Sequence, residues 1–375
     1  MRIGIDGRII MKRGVGRYIY NLVKNLLLID KKNQYVLYTD NNSPECGLKA
    51  RNLLIRKLRT GNAFVFREVL LKKAAREDNI DILHSTDNSM PCVLGCFKGR
   101  NIVTIHDTMY VRAIAGSIAK PTLKQIITDS YNKFAIPESA KKAGCVITVS
   151  AFSKKCILKE TKAKNVSVIY EAAEEGKRKT DKGALKKYGI KTPYVLISGA
   201  SDKRKNAPDA IDAFAVFNAK AGGIYSLVIT SIGSKELRTT EIENRIRKNN
   251  LKDRAVITGY VSDEEMNALY KGAFCFFFPS LWEGFGLQVL EAFTSGTPVI
   301  TSNCGSLPEV AGNAALLCDP NSFYDMSEKL LMLHNDKKLR AKLVASGKKQ
   351  AKKFSWKRTA EETLKIYEKV SRGII

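Results

Sequence analysis

The chain has 375 residues, 44% of them hydrophobic and 27% charged, which suits two domains and excludes extended disorder. No apolar run approaches the roughly 20 residues of a membrane-spanning helix, and Met1-Arg2-Ile3-Gly4-Ile5-Asp6 reads as a strand, without the apolar stretch of a signal peptide. The net charge of +26, of which +17 falls in residues 1–170, suits phosphorylated or polyanionic partners, although a lysine-rich solvated surface gives the same figure.

Short apolar strands alternate with helical patterns from end to end, the signature of parallel βαβ units. In the first half the pattern predicts strands at Arg2–Asp6, Gln34–Tyr38, Ile80–Leu83, Asn101–Ile105, Cys145–Val149 and Val166–Ile169. Helices are expected between them at Val15–Ile29, Ala63–Glu77, Thr122–Lys142 (interrupted around Pro137) and Ala151–Thr161. The charged, apolar-poor segment Glu171–Lys191 reads as a linker, after which the alternation restarts. Strands follow at Tyr194–Ser198, Tyr225–Ile229, Ala255–Thr258, Ala273–Phe278 and Pro298–Ile300, with helices at Ala207–Lys220, Glu236–Asn250, Asp263–Lys271 and Leu287–Ser295. The predicted fold is α/β: two Rossmann-like doubly wound domains, residues 1–175 and 176–355, facing a cleft at the carboxyl ends of their strands. Trp356–Tyr367 has helical spacing and is expected to pack against a sheet.

Nucleic acid is excluded as a partner, because basic residues are not interleaved with aromatics and no RNP, KH or zinc-finger spacing occurs. The eight cysteines are scattered singly and read as reduced, buried thiols of a cytosolic protein. Lys49–Arg59 and Arg67–Arg76 mix basic and apolar residues. Such a face suits an anionic membrane surface; ordinary packing elements give the same pattern.

The most informative stretch is Phe278-Pro279-Ser280-Leu281-Trp282-Glu283-Gly284-Phe285-Gly286-Leu287-Gln288-Val289-Leu290-Glu291. An apolar strand runs into a glycine turn and a helix N-terminus, an arrangement that offers backbone N–H groups to a phosphate. Glu283 in the turn and Glu291 on the helix flank that point, which suits a diphosphate carrying hydroxyl-bearing rings at both ends: a nucleotide sugar. Gly14 and Gly16 leave bare backbone ahead of another helix, suited to phosphate or sugar or to a plain turn. His106 and His84 each close an apolar strand.

These segments resemble the retaining glycosyltransferases of family 4, with GT-B fold, over nearly the full length. Further matches are Gly296-Thr297-Pro298-Val299-Ile300, Gly305-Ser306-Leu307-Pro308-Glu309, Val103-Thr104-Ile105-His106-Asp107, Ile147-Thr148-Val149-Ser150 and Arg204-Lys205-Asn206. Gly14-Val15-Gly16-Arg17-Tyr18 is similar to the opening of the mannosyl- and rhamnosyltransferase subgroup of polysaccharide assembly. The resemblance implies that Lys205 binds the diphosphate with help from Arg204, and that His106 hydrogen-bonds the donor sugar. It also implies that Glu283 holds a sugar hydroxyl and Glu291 the ribose, with Phe285, Gly286 and Leu287 offering N–H groups. Many members carry Arg directly after the strand's Gly, where this chain has Ala200. The last helix, within 356–375, would cross back to the first domain.

The expectation is a cytoplasmic hexosyltransferase, peripheral at the inner membrane face, that needs neither cofactor nor metal. Its donor would be a nucleotide-diphosphate sugar, GDP-mannose favoured over UDP-hexoses, and its acceptor a saccharide or lipid-linked saccharide. A sugar-nucleotide epimerase of the same fold and a non-enzymatic polyanion scaffold are the alternatives. Accumulation of free epimerised nucleotide sugar would favour the first.

Overall fold

A computed structural model of the chain describes residues 1–12, 14–112, 123–174, 179–231 and 241–375. Strand β1 (Arg2–Asp6) is buried from Ile3 onward, so both of its faces are covered, as a parallel sheet interior requires. It is joined by β2 (Gln34–Thr39), β3 (Leu53–Lys57), β4 (Ile82–Ser85), β5 (Arg100–Thr104), β6 (Cys145–Thr148) and β7 (Val166–Val168). All pairings are parallel, in the order β3-β2-β1-β4-β5-β6-β7. The second sheet contains β8 (Tyr194–Ile197), β9 (Ser226–Thr230), β10 (Ala255–Gly259), β11 (Cys275–Phe278), β12 (Val299–Ser302) and β13 (Leu316–Cys318). It is also wholly parallel, ordered β10-β9-β8-β11-β12-β13. Each is a doubly wound, Rossmann-like sheet, and each reverses its strand order once: at β1/β4 in the first and at β8/β11 in the second. Ligands of open α/β sheets bind outside the carboxyl ends at such switch points.

The first compact unit holds Met1–Ala113, Gln125–Ala172 and Ser355–Ile375; the second includes Ala173–Phe354. In the first, the Val15–Ile29 helix buries Tyr18, Ile19, Leu22, Val23 and Leu26 along one stripe. The Trp356–Ser371 helix packs against it, burying Trp356, Ala360, Thr363, Ile366, Tyr367 and Val370. In the second, the Ala207–Lys220 helix packs Ala210, Phe214 and Phe217 into the core and rests on the Phe323–Asn335 helix.

Several expectations need correction. Residues 49–59 include the edge strand β3, whose Leu54 and Ile55 are exposed, as are Arg51, Lys57 and Arg59. Arg67, counted in the second basic segment, is buried and ion-paired with Asp87. The Leu123–Lys142 helix runs through Pro137 without a break. Proline forfeits one backbone bond there, while buried Ala135, Ile136 and Ala140 keep the helix on the core formed with Val103 and Ile105. The expected linker is not free at its start, because Glu171 is buried inside the first unit. The beginning of the helix expected at Glu236–Asn250 lies outside the described residues, and Glu241–Lys248 is helical. Strand β13 and the Leu307–Ala311 and Lys337–Ala351 helices had no counterpart in the sequence reading. All eight cysteines are free. No helix among the described residues is long and apolar enough to cross a membrane.

Candidate active site

In the second unit, the loops after β8 and β11 meet at the switch point. Gly199, two residues past β8, adopts φ 79°, and a Cβ there would stand 2.9 Å from Lys205 Cγ, so the glycine gives the lysine stem its path. Asp202 caps the short turn Lys203–Lys205, accepting from Arg204 N at 3.0 Å. The same carboxylate receives the Arg204 guanidinium, with Nη2 to Oδ2 at 2.5 Å. Arg204 O accepts bonds from Leu281 N at 2.7 Å and from Ser280 Oγ at 2.8 Å, which stitches the two loops together.

Across that stitch, Lys205 Nζ lies 2.5 Å from Glu283 Oε1 and 4.7 Å from the centre of the Phe278 ring. Ser280 Oγ also bonds Glu283 Oε1, at 2.7 Å. Both charged side chains are nearly buried, at 14% and 11% exposed. The lysine is therefore a fixed cation, aimed by an acid, a ring and a glycine rather than waving in solvent.

The turn beyond Glu283 is buttressed from below. Ser306 Oγ donates to Glu283 O at 3.0 Å and to Phe285 O at 2.8 Å. Gly286 adopts φ 102° at the N-cap of the Leu287–Ser295 helix, and a Cβ on it would strike Leu307 Cδ2 at 2.8 Å. No side chain caps this helix and its first turn carries no acid, so the positive end of its dipole is available to an anion. Phe285 is buried edge-on against Phe354. Glu291, on the same helix, is buried, and the Tyr270 hydroxyl donates to its Oε2 at 3.4 Å. Lys205, Arg204, Glu283, Phe285, Gly286, Leu287 and Glu291 thus occupy one end of one sheet.

His106, Gly14 and Gly16 belong to the first unit. His106 follows β5, and its Nδ1 lies 3.1 Å from Glu171 Oε1 while Nε2 lies 3.1 Å from Thr86 O. A carbonyl only accepts and an ionised carboxylate only accepts, so both ring nitrogens are best served as donors: the imidazolium form. Burial works against the charge, but the Glu171 hydrogen bond and its negative charge outweigh it and raise the His106 pKa. The Tyr18 ring meets the imidazole edge-on at 4.9 Å. Sugar binding through either ring nitrogen requires sharing or exchanging one of these partners.

A raised pKa in the folded state contributes stability that is complete below the ordinary histidine value of 6.5 and fades as pH rises through the raised value. Wild-type protein is therefore expected to lose stability above neutral pH, with a slope from this group of at most about 1.4 kcal/mol per pH unit. Glu171→Gln should flatten that slope. Denaturant melts at pH 6, 7, 8 and 9 check this, and parallel profiles for the two proteins would refute it.

Gly14 has φ 69° and open space at its Cβ position, whereas a Cβ on Gly16 would sit 2.2 Å from Ile9 O. Close backbone approach alone therefore demands glycine at 16. His84 is a core residue: Nδ1 meets Tyr367 Oη at 2.7 Å, Nε2 meets Thr104 Oγ1 at 2.8 Å, and burial pushes its pKa down to about 3. It is wholly buried, so it lines no open site. Ser280, Asp202, Gly199, Ser306 and Glu171 were given no role from the sequence. Ser280, the polar residue directly after Phe276-Phe277-Phe278-Pro279, and Ser306, inside the matching segment Gly305–Glu309, carried a local signal.

Two family profiles divide the chain between them: Glycosyltransferase Family 4 over residues 12–174 and Glycosyl transferases group 1 over residues 179–350. The O-antigen chain mannosyltransferase B of Escherichia coli is 34% identical over 174 residues, 46% of this chain and 45% of that protein. The O-antigen chain mannosyltransferase RfbU of Salmonella typhimurium is 31% identical over 193 residues, 51% of each chain. The matches thus span about half the length of these relatives. The sucrose-phosphate synthase structure from Thermosynechococcus elongatus superposes with a TM-score of 0.77 at 19% identity, covering 100% of both chains, and supports the GT-B fold.

Proposed function

We propose that this chain, which belongs to the glycosyltransferases by virtue of its family 4 first half and group 1 second half, transfers a hexose from a nucleotide-diphosphate sugar to a saccharide acceptor. The observation that carries the reading is Lys205, held by Glu283 beside an uncapped helix N-terminus at the β8/β11 switch point. Breaking a glycosyl–phosphate bond builds negative charge on the departing diphosphate. A fixed cation and backbone N–H groups at that position stabilise the charge without having to reorganise. In this reading Lys205 and the amides of Phe285, Gly286 and Leu287 hold the diphosphate, with Arg204 assisting from the neighbouring turn. Glu283, released from Lys205 by the incoming anion, accepts a hydroxyl of the transferred sugar, and Glu291 binds the ribose.

His106 is proposed to act in the same reaction as an imidazolium donor. The anomeric configuration is retained by departure and attack on one face, assisted by the leaving phosphate, and no metal is required. GDP-mannose is the favoured donor, supported by the similarity to O-antigen mannosyltransferases. The acceptor is proposed to be a growing, lipid-linked saccharide.

A melting-temperature panel with GDP, UDP and ADP tests the reading. A ligand at 100 times its Kd stabilises the native state by about 2.7 kcal/mol. GDP is expected to raise the second unit's transition most, equally with and without EDTA. A shift with UDP alone would overturn the donor assignment, and no shift with any nucleotide would overturn the function.

A further inference from the structure

Ligands of parallel sheets gather at the carboxyl ends of the strands, but the first unit also carries a cavity at the opposite edge of its sheet. The Val15–Ile29 helix ends there, Lys31 precedes β2, and Arg51 precedes β3. Between these segments lies a cavity of about 550 Å³, with Lys24, Lys31, Lys49 and Arg51 as its charged walls and Leu28 and Leu48 among its apolar ones. The rest of the lining is uncharged, and the wall holds neither a carboxylate nor an aromatic ring.

None of these four cations forms an ion pair with a described residue. Lys31 Nζ donates to Leu27 O, which tethers it across the helix end, and Lys24 Nζ lies 5.8 Å over the Tyr20 ring. Neither contact supplies a counter-charge. Asp30 is near in sequence but turned inward: it is 5% exposed, and its Oδ2 accepts from Tyr35 Oη at 2.5 Å and from Asn33 Nδ2 at 2.7 Å. Four like charges around one cavity repel one another, and a bound polyanion relieves that repulsion. Arg51 offers a planar fork that matches phosphate oxygens, and the lysines serve the same group as point charges. Leu28 is 64% exposed beside them, which suits hydrocarbon attached to the anion. A nucleotide fits poorly, because the wall has no ring to stack a base and no acid to take a ribose.

We propose that this cavity at the amino ends of β2 and β3 is a second anion site, built for a phosphoryl group carried on an apolar chain. It is separate from the donor site in the second unit and does not depend on the transferase reading. The ligand is supplied either as the headgroup of a bilayer lipid or as a dissolved phosphoester.

Titration calorimetry with monomeric dihexanoyl phosphatidylglycerol, dihexanoyl phosphatidylcholine and glycerol 3-phosphate tests the site. The glycerol lipid should bind. Affinity should fall by about ten-fold or more for the zwitterionic choline lipid, and likewise for glycerol 3-phosphate, which lacks the chains. The double variant Lys49→Glu/Arg51→Glu and the single variant Leu28→Asp should each weaken binding of the glycerol lipid by about ten-fold or more. All three positions are exposed, so both variants should match wild type in melting temperature and in its response to GDP. Flotation with phosphatidylcholine vesicles, with and without phosphatidylglycerol, separates the two sources. Recovery that needs phosphatidylglycerol and is lost in the double variant assigns the bilayer headgroup, whereas calorimetric binding without recovery assigns a dissolved phosphoester. No binding of the glycerol lipid, unchanged binding in either folded variant, or equal affinity for the choline lipid or glycerol 3-phosphate would overturn the site.

Discussion

Lys205→Ala and Glu283→Gln are each expected to lower the transfer rate by about 10²–10³-fold, the usual loss when one preorganised group facing developing charge is removed. The two should differ in how they fail. Without Lys205, the diphosphate loses its cation, and Glu283 remains nearly buried with Ser280 as a partner, so nucleotide affinity falls along with turnover. Without the Glu283 charge, Lys205 keeps its place over the Phe278 ring, from which the proposed contact to the phosphate is still open. Nucleotide affinity should then hold while turnover collapses, because the contact proposed for Glu283 is to the sugar. Steady-state rates beside GDP-induced melting shifts separate these outcomes. Transfer above a tenth of the wild-type rate in either folded variant would sink the assignment of this pair.

Trp356→Ala should be the most damaging single truncation for the first unit, costing about 3–5 kcal/mol. Trp356 is 4% exposed, lies 6.2 Å from the Tyr18 ring, and opens the helix that covers Val15–Ile29. Tyr18 in turn touches His106, so the cavity would also loosen the imidazole's surroundings. At about 2–4 °C per kcal/mol for a unit of this size, the first unit's calorimetric transition should fall by roughly 6–20 °C. The second unit's GDP response should be spared. A drop of less than about 2 °C would show that this helix is not integral to the unit.

Strands buried on both faces are continuous apolar runs, so β1, β6 and β8 were legible in the sequence to within a residue or so. Strand β3 was not: Leu53-Leu54-Ile55-Arg56-Lys57 sits at an edge with one neighbour and carries the charges that edge strands use. The Pro137 helix misled because local propensity forbids what tertiary packing of Ala135, Ile136 and Ala140 enforces. Around the candidate site, glycines and acids stood out because their spacing is local. The parts that fix their geometry lie far off in the chain: Ser306 beneath Glu283, and Glu171 against His106, 65 residues away. Nothing near His106 in sequence could reveal that Glu171 holds its ring and raises its pKa.

The Trp356–Ser371 helix belongs to a unit whose other elements all lie before residue 173. Domains generally fold in the order in which the ribosome delivers them. Here the N-terminal half emerges first yet must keep the side of its Val15–Ile29 helix that meets Trp356–Ser371 uncovered while some 180 further residues are translated. The second unit can finish before the first. During that interval the nascent chain offers a sticky helical face to chaperones, and a ribosome stalled short of residue 356 leaves a product with one complete half and one open one.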